Sequence, residues 1–256
     1  MEFYKYQGTG NDFIMIDDRT ELFDSNDQRL IEHLCDRRFG IGADGLILLR
    51  NDTAYDFKMI YFNADGRASS MCGNGGRCIV AFAKFLNIIQ HTTTFTAVDG
   101  IHEAKIENDI IHLKMNEVEH IRNEQQHFIL FTGSPHYVKQ VENIDLIDVY
   151  KEGNAIRYSN EFKEEGINVN FIELIDAQYF KIRTYERGVE DETFSCGTGV
   201  VASSIVSSII HNKNNTQFKI STKGGDLQVQ FEQHKNKYKN IWLIGPAMQV
   251  FKGYIN

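Results

Sequence analysis

The chain has 256 residues, of which 42% are hydrophobic and 24% charged, and it carries a net charge of -8 at neutral pH. That length can bury one large core or two of ordinary size, and the apolar content excludes an intrinsically disordered chain. An acidic total with no block of Lys or Arg excludes nucleic acid or an anionic membrane as the main partner.

The opening "MEFYKYQGTGNDFIMIDDR" has a polar or charged residue every few positions and lacks the apolar core of a secretory signal. No apolar run approaches the roughly 18 residues that span a bilayer, so a cytoplasmic protein is expected. "EFYKY" and "DFIMID" read as strands around a Gly-rich turn, and "DQRLIEHLCDRR" has helical spacing at Leu30, Ile31, Leu34 and Cys35. "GLILLR" and "YDFKMIYF" follow as strands, with "NADG" (63–66) as a turn. "CIVAFAKFLNII" is apolar on most sides, which predicts a buried helix. Strands are expected at "TTTFTAV", "HEAKIEN", "IIHLKM", "FILFTG", "INVNFIELI" and "YFKIRTYER". "VVASSIVSSIIH" is a second mostly apolar helix, followed by strands at "FKISTK", "LQVQFE", "IWLIG" and "MQVFKGYI".

A long-period repeat underlies this order. Cys196 of "SCGTG" lies 124 positions after Cys72 of "MCGNGGRC" (196 − 72), and Tyr185 stands in the same relation to Tyr61. "GTG" at Gly8 meets "GSP" at Gly133, and "GIGADGLIL" at Gly40 meets "GINVNFIEL" at Gly166, with offsets one or two residues larger. The repeat predicts an α+β fold of two pseudo-symmetric domains. Each is a curved, mostly antiparallel β layer or barrel around a central buried helix, with the active site in the interdomain cleft. The expected halves are 1–114, joined by the C-terminal strand 249–256, and 115–248.

Both Cys-Gly motifs fall where a strand runs through a turn into an apolar helix. Unpaired amides at a helix start bind anions such as carboxylates, and glycines let the backbone approach a ligand. The same partial positive charge favours a thiolate. Two such thiols acting on one carbon beside a carboxylate suit inversion: one removes the proton and the other supplies one to the opposite face. Cys35 and Cys78, by contrast, read as small core residues, and all four thiols are expected to be reduced. The residues alone reach a two-thiol site for a small anion and no further.

Seven motifs in order then identify a family. "GTGNDF", "DRRFGIGADG", "NADG", "MCGNGGRC", "GINVNF", "YERG" and "SCGTG" make the chain resemble the diaminopimelate epimerases from nearly end to end. The resemblance implies a cofactor-independent epimerase that interconverts LL- and meso-2,6-diaminopimelate, in the route to lysine and peptidoglycan precursors, assembled as a homodimer. It assigns Cys72 and Cys196 as the acid/base pair, and Gly73, Asn74, Gly197 and Thr198 as the carboxylate cradle. Asn11, Asn63, Asn168, Glu186 and Arg187 are implied to hold the substrate, and Ser134, His136 and Gly45 are further candidates. The family commonly has Asn where this chain has Ser134, and often Gln where it has Gly45.

No metal, nucleotide or pyridoxal phosphate is implied: there is no P-loop, and Cys72-x5-Cys78 lacks zinc-ligand spacing. Three rival readings are distinguishable. A racemase of proline, hydroxyproline or histidine on the same fold would not need Glu186 and Arg187 to hold a second amino-acid head. A thiol hydrolase with His136 would leave one Cys-Gly motif unexplained. A metal or redox-sensing protein would need a ligand spacing that is missing.

Overall fold

The computed structural model describes residues 1–69, 71–211 and 215–255. Its contacts divide the chain into two compact units, Met1–Leu113 with Gly245–Asn256, and Lys114–Ile244.

The first unit begins with β1 (Glu2–Gly8) and β2 (Asn11–Asp17), an antiparallel hairpin whose turn uses left-handed backbone at Thr9 and Gly10. Helix α1 (Gln28–Cys35) is capped by the Asp27 carboxylate, which accepts from Leu30 N at 3.0 Å. It stops at Cys35, three residues before the expected end at Arg38, because the Asp36 carboxylate accepts from Arg38 N and Phe39 N, each at 2.7 Å, and turns the chain. Strand β3 (Gly45–Arg50) lies parallel to β2, and β4 (Phe57–Asn63) runs antiparallel to β3. After β5 (Ala68–Ser69) comes α2 (Gly73–Phe85), then β6 (Thr92–Ala97), β7 (Gly100–Glu107) and β8 (Ile110–Met115) as an antiparallel meander. β6 returns to pair parallel with β4.

Period-two alternation sorts the side chains of this sheet. Ile14, Ile16, Leu46 and Leu48 pack with Ile31, Leu34 and Cys35 of α1. The intervening residues face α2: a side chain at Gly75 would meet Ile47 Cδ1 at 3.2 Å and Met59 Cε at 3.5 Å. Phe82 of α2 meets the rings of Tyr4 and Tyr6 at 5.1 and 5.7 Å. α2 ends four residues before the expected "LNII" does, because Asn87 is left-handed (φ 59°) and the Ile88 amide returns to Ala83 O.

The second unit repeats this order with one further strand, β9, at its start. It runs β9 (Ile121–Glu124), β10 (His127–Phe131), β11 (Pro135–Gln140), a 3-10 turn at Ile144–Leu146, α3 (Val149–Arg157), β12 (Asn168–Leu174), β13 (Tyr179–Glu186), β14 (Asp191–Thr193), α4 (Gly197–Ile210), β15 (Gln217–Thr222), β16 (Gly225–His234) and β17 (Lys237–Gly245). β11 and β12 are parallel like β2 and β3, β12–β13–β14 is antiparallel like β3–β4–β5, and β15 pairs parallel with β13 as β6 does with β4. Helix α4 is sheathed by Val138, Ile172, Ile182, Phe218, Leu227, Val229 and Leu243. The other face of β12, with Val169 and Phe171, packs on Val149 of α3. The C-terminal strand β18 (Met248–Tyr254) pairs antiparallel with β1 in the first unit. Residue 256 of the expected strand 249–256 lies outside the described residues.

The sequence pattern missed α3 because only Val149 and Gly153 of it are buried. Gly153, which reads as a breaker, is there for close approach: a side chain at that position would run into the Tyr185 ring. Strands β5, β9, β11 and β14 also escaped the periodicity. Among the described residues no helix is long and apolar enough to cross a membrane.

Candidate active site

Each unit places one cysteine at the N-cap of its buried helix. Cys72 caps α2 with extended backbone, and its Sγ accepts from Gly75 N at 3.2 Å. Space at position 75 is tight: a side chain there would stand 3.2 Å from that sulfur. Cys196 caps α4, and no side-chain hydrogen bond closes the cap. Its Sγ lies 3.5 Å from Thr198 Oγ1. First-turn amides have no intrahelical acceptor, so Gly73 and Asn74 in one unit and Gly197 and Thr198 in the other occupy positions suited to an anion.

In the first unit Asn74 lies beside the β1–β2 turn. Its Nδ2 donates to Asn11 Oδ1 at 3.3 Å, and Asn11 Nδ2 donates to Asp44 Oδ2 at 2.6 Å. Asp12 is gripped by Lys5 at 2.8 Å and by Arg37 at 2.7 Å, and Arg37 also bonds Asp44. Their charges outweigh burial and hold the Asp12 carboxyl down to about 2. Gly45 and Asn63 are register partners on β3 and β4. Gly45 is a packing residue, since a side chain there would press on Phe62 O and the Tyr61 ring. Asn63 is exposed, and its backbone N–H closes the "NADG" turn by donating to Arg67 O at 3.0 Å.

The second unit gathers a denser network. Pairing of β11 with β12 sets His136 beside Asn168 and Val138 beside Asn170, all on the α4 face. His136 is fully buried, with Nε2 2.9 Å from both Thr198 Oγ1 and Ser134 Oγ, and Nδ1 3.1 Å from Asn170 Nδ2. Burial first, then the Arg187 charge, pulls its imidazole down to about 3, so it is neutral at physiological pH. Asn168 donates to Ser134 Oγ and Pro135 O, each at 3.1 Å, and accepts from Arg187 N at 2.9 Å. Arg187 Nη1 donates to Glu165 O, and Glu186 Oε2 accepts from Thr193 Oγ1 at 2.8 Å. Thus Cys196, Thr198, Ser134, His136 and Asn168 form one connected group, joined to Arg187 through its backbone.

Asn170, Thr184, Thr132 and Arg77 belong to these networks and were not singled out from sequence. "GINVNF" does contain Asn170, and its alternation with Asn168 places both amides on one strand face. Cys35 and Cys78 are buried as expected, with burial pushing the Cys35 thiol up to about 12 and the Cys78 thiol higher than its ordinary range. All four cysteines are free thiols.

A duplicated α+β unit with a cysteine capping each buried helix is the class that fold and site define. Solved structures of low identity share this fold. A phenazine biosynthesis protein of the PhzF family from Bacillus anthracis aligns at TM-score 0.78 and 12% identity, covering 100% of this chain and 99% of that one. A hydroxyproline epimerase from Agrobacterium vitis aligns at TM-score 0.65 and 14% identity, covering 99% and 91%. The family model for diaminopimelate epimerase matches residues 3–121 and 128–250. A diaminopimelate epimerase of Flavobacterium psychrophilum is 54% identical over 98% of this chain and 99% of its own length. That of Chlorobaculum tepidum is 41% identical over 97% and 98%. The chain belongs to the diaminopimelate epimerase family.

Proposed function

We propose that the protein interconverts LL- and meso-2,6-diaminopimelate without a cofactor, using Cys72 and Cys196 as the acid/base pair. The observation that carries the reading is the cysteine N-cap repeated in both halves, on a chain that matches this family along nearly its whole length. A thiolate breaks the Cα–H bond and takes the proton, leaving the electron pair on the α-carbon and its carboxylate. The second thiol gives its proton to the opposite face. First-turn amides of a cysteine-capped helix stabilise the charge that builds on the carboxylate oxygens, a term that matters most where charge develops. Neither sulfur needs to be a strong base if the carboxylate is well held.

Arg187 is suited to grip the distant carboxylate with two hydrogen bonds, while Asn11, Asn63, Asn168 and Glu186 can accept from ammonium groups. Ser134 supplies a hydroxyl in place of the family's amide and is already engaged by Thr198, His136 and Asn168. A homodimer in the cytoplasm, serving lysine and peptidoglycan precursor synthesis, completes the reading.

Proton NMR of LL-diaminopimelate with reduced protein in D2O tests it. Loss of the α-proton signal together with formation of the meso isomer is the expected result. Absence of exchange with folded, reduced protein would overturn the substrate assignment and make a panel of proline-type amino acids the next experiment.

A further inference from the structure

Glu190 has left-handed backbone (φ 60°), a conformation that glycine adopts freely and that strains any residue with a long side chain. It sits between β13 and β14, in the turn that follows Glu186 and carries Arg187. Its carboxylate accounts for a glutamate there. Oε1 accepts from Gly188 N at 3.0 Å and stands 3.4 Å from Arg157 Nε, while Oε2 accepts from the Tyr185 hydroxyl at 3.1 Å. Burial raises the Glu190 carboxyl, but the Gly188 amide, the Tyr185 hydroxyl and the Arg157 charge outweigh it, so the group is ionised at neutral pH. The Glu190 amide closes the turn on Glu186 O at 2.8 Å.

Two of these contacts lead to α3. The Tyr185 hydroxyl accepts from Asn154 Nδ2 at 3.0 Å, and Arg157 is the last residue of that helix. The Arg157 side chain is 13% exposed, and its Nη1 donates to Phe162 O and Lys163 O, each at 3.3 Å. Those bonds fix the segment that leads to Glu165, whose carbonyl accepts from Arg187 Nη1 at 2.9 Å. A side chain at Gly166 would run into Arg187 Cδ at 2.6 Å and Arg157 Cζ at 2.8 Å, so both arginines pass against the same glycine. The turn that carries the Arg187 backbone and the segment that holds its guanidinium therefore meet at the Glu190–Arg157 ion pair.

We propose that Glu190 is a positioning residue that, through Arg157, presets the Arg187 guanidinium for the carboxylate at the far end of the substrate. This rests on the reading of Arg187 given above. A side chain already held in its binding geometry loses less freedom when the ligand arrives, so the clamp strengthens binding without touching the ligand. Helix α3 and Tyr185, which take no part in the proton transfers, form the buttress of that clamp.

Glu190→Gly tests the role, because it frees the backbone while removing the clamp. KM for diaminopimelate is expected to rise about tenfold with kcat changed by no more than about twofold. Glu190→Gln keeps an acceptor for Gly188 N without the charge for Arg157; it is expected to raise KM less, and it serves if the glycine variant does not fold. Adding Glu190→Gly to Arg187→Met is expected to raise KM no further than Arg187→Met alone, since one residue acts through the other. Hydrogen exchange of the free protein, read by peptide mass spectrometry, is expected to quicken about tenfold over both 186–190 and 159–166 in Glu190→Gly. An unchanged KM, a kcat loss at constant KM, additive effects in the double variant, or unaltered exchange over 159–166 overturns the proposal. Exchange needs no substrate, so the expected exchange pattern together with no turnover of diaminopimelate would count against the substrate reading alone.

Discussion

Asn170 Nδ2 lies 3.1 Å from His136 Nδ1 and 2.9 Å from the Tyr137 carbonyl oxygen. A carbonyl can only accept, so the Tyr137 contact fixes which end of the amide is NH2. The Thr184 hydroxyl, donating to Asn170 Oδ1 at 3.0 Å, agrees with that orientation. His136 Nδ1 must therefore accept, and the neutral ring carries its proton on Nε2, where it donates to Ser134 or Thr198. Asn170→Asp would ask Nδ1 to donate instead. The expected result is a reversed tautomer by 15N NMR and a fall in kcat of about tenfold to a hundredfold, the loss of one or two hydrogen bonds of about 1.5 kcal/mol.

The buried imidazole also sets an acid limit on stability. Its folded-state pKa is lowered to about 3 by burial, whereas the unfolded chain takes up a proton near the ordinary 6.5. The folded state is therefore favoured fully above that value and loses this contribution as pH falls from about 6.5 toward 3. At pH 5 the loss from this one group is about 2 kcal/mol. Urea unfolding at pH 7 and pH 5 should show a smaller decrease in His136→Gln than in the unsubstituted protein. An equal decrease in both would remove His136 as the cause.

Gly199 and Gly75 make a paired test of the two helix starts. A side chain at Gly199 would run into Asn170 Oδ1 and stand 3.4 Å from Cys196 Sγ. At Gly75 the nearest atoms, Cys72 Sγ and Ile47 Cδ1, are both at 3.2 Å. Gly199→Ala should therefore destabilise by about 1–3 kcal/mol and disturb the His136 proton position, while Gly75→Ala should be the milder change. Thermal unfolding of both variants decides the order.

The Asn168 Nδ2 donates to Ser134 and Pro135, and its Oδ1 accepts from the Arg187 backbone. Asn168→Ala leaves the Arg187 N–H and the Pro135 carbonyl without that partner, a loss of about 1–3 kcal/mol in unfolding free energy. Arg187→Met leaves those bonds in place, because only its backbone joins them. For that variant KM for diaminopimelate should rise while the pH profile of iodoacetamide alkylation at Cys196 stays unchanged; a kcat loss with constant KM would argue against a substrate-gripping role.

If the two-base proposal holds, Cys72→Ala and Cys196→Ala should each abolish epimerisation while leaving the protein folded, since that proposal assigns one proton transfer to each sulfur. Near-normal turnover by either variant, measured by isomer-resolved chromatography, would eliminate the two-base scheme.

Much of the molecule was legible in residue order because periodicity and repetition are local signals. The 124-residue offset between Cys72 and Cys196 matches the starts of α2 and α4, and the apolar runs behind them became buried helices. Elements defined by a few contacts were not legible: α3 buries too little, and Gly153 owes its place to the Tyr185 ring. Helix α1 fell short where the Asp36 side chain captured two amides, a competition that spacing alone does not reveal.

The site divides along the same line. Its cysteines, glycines and motif order were set by the sequence itself, since a thiol at a helix start needs only a strand, a turn and an apolar run. Which polar groups meet those thiols was decided by tertiary structure. Strand pairing brings His136 against Asn168, and the fold carries Thr9 and Pro246 to Arg77 from positions 68 residues before it and 169 after. The charge state of a buried group depends on its whole surroundings, and those are assembled only when distant strands close around it.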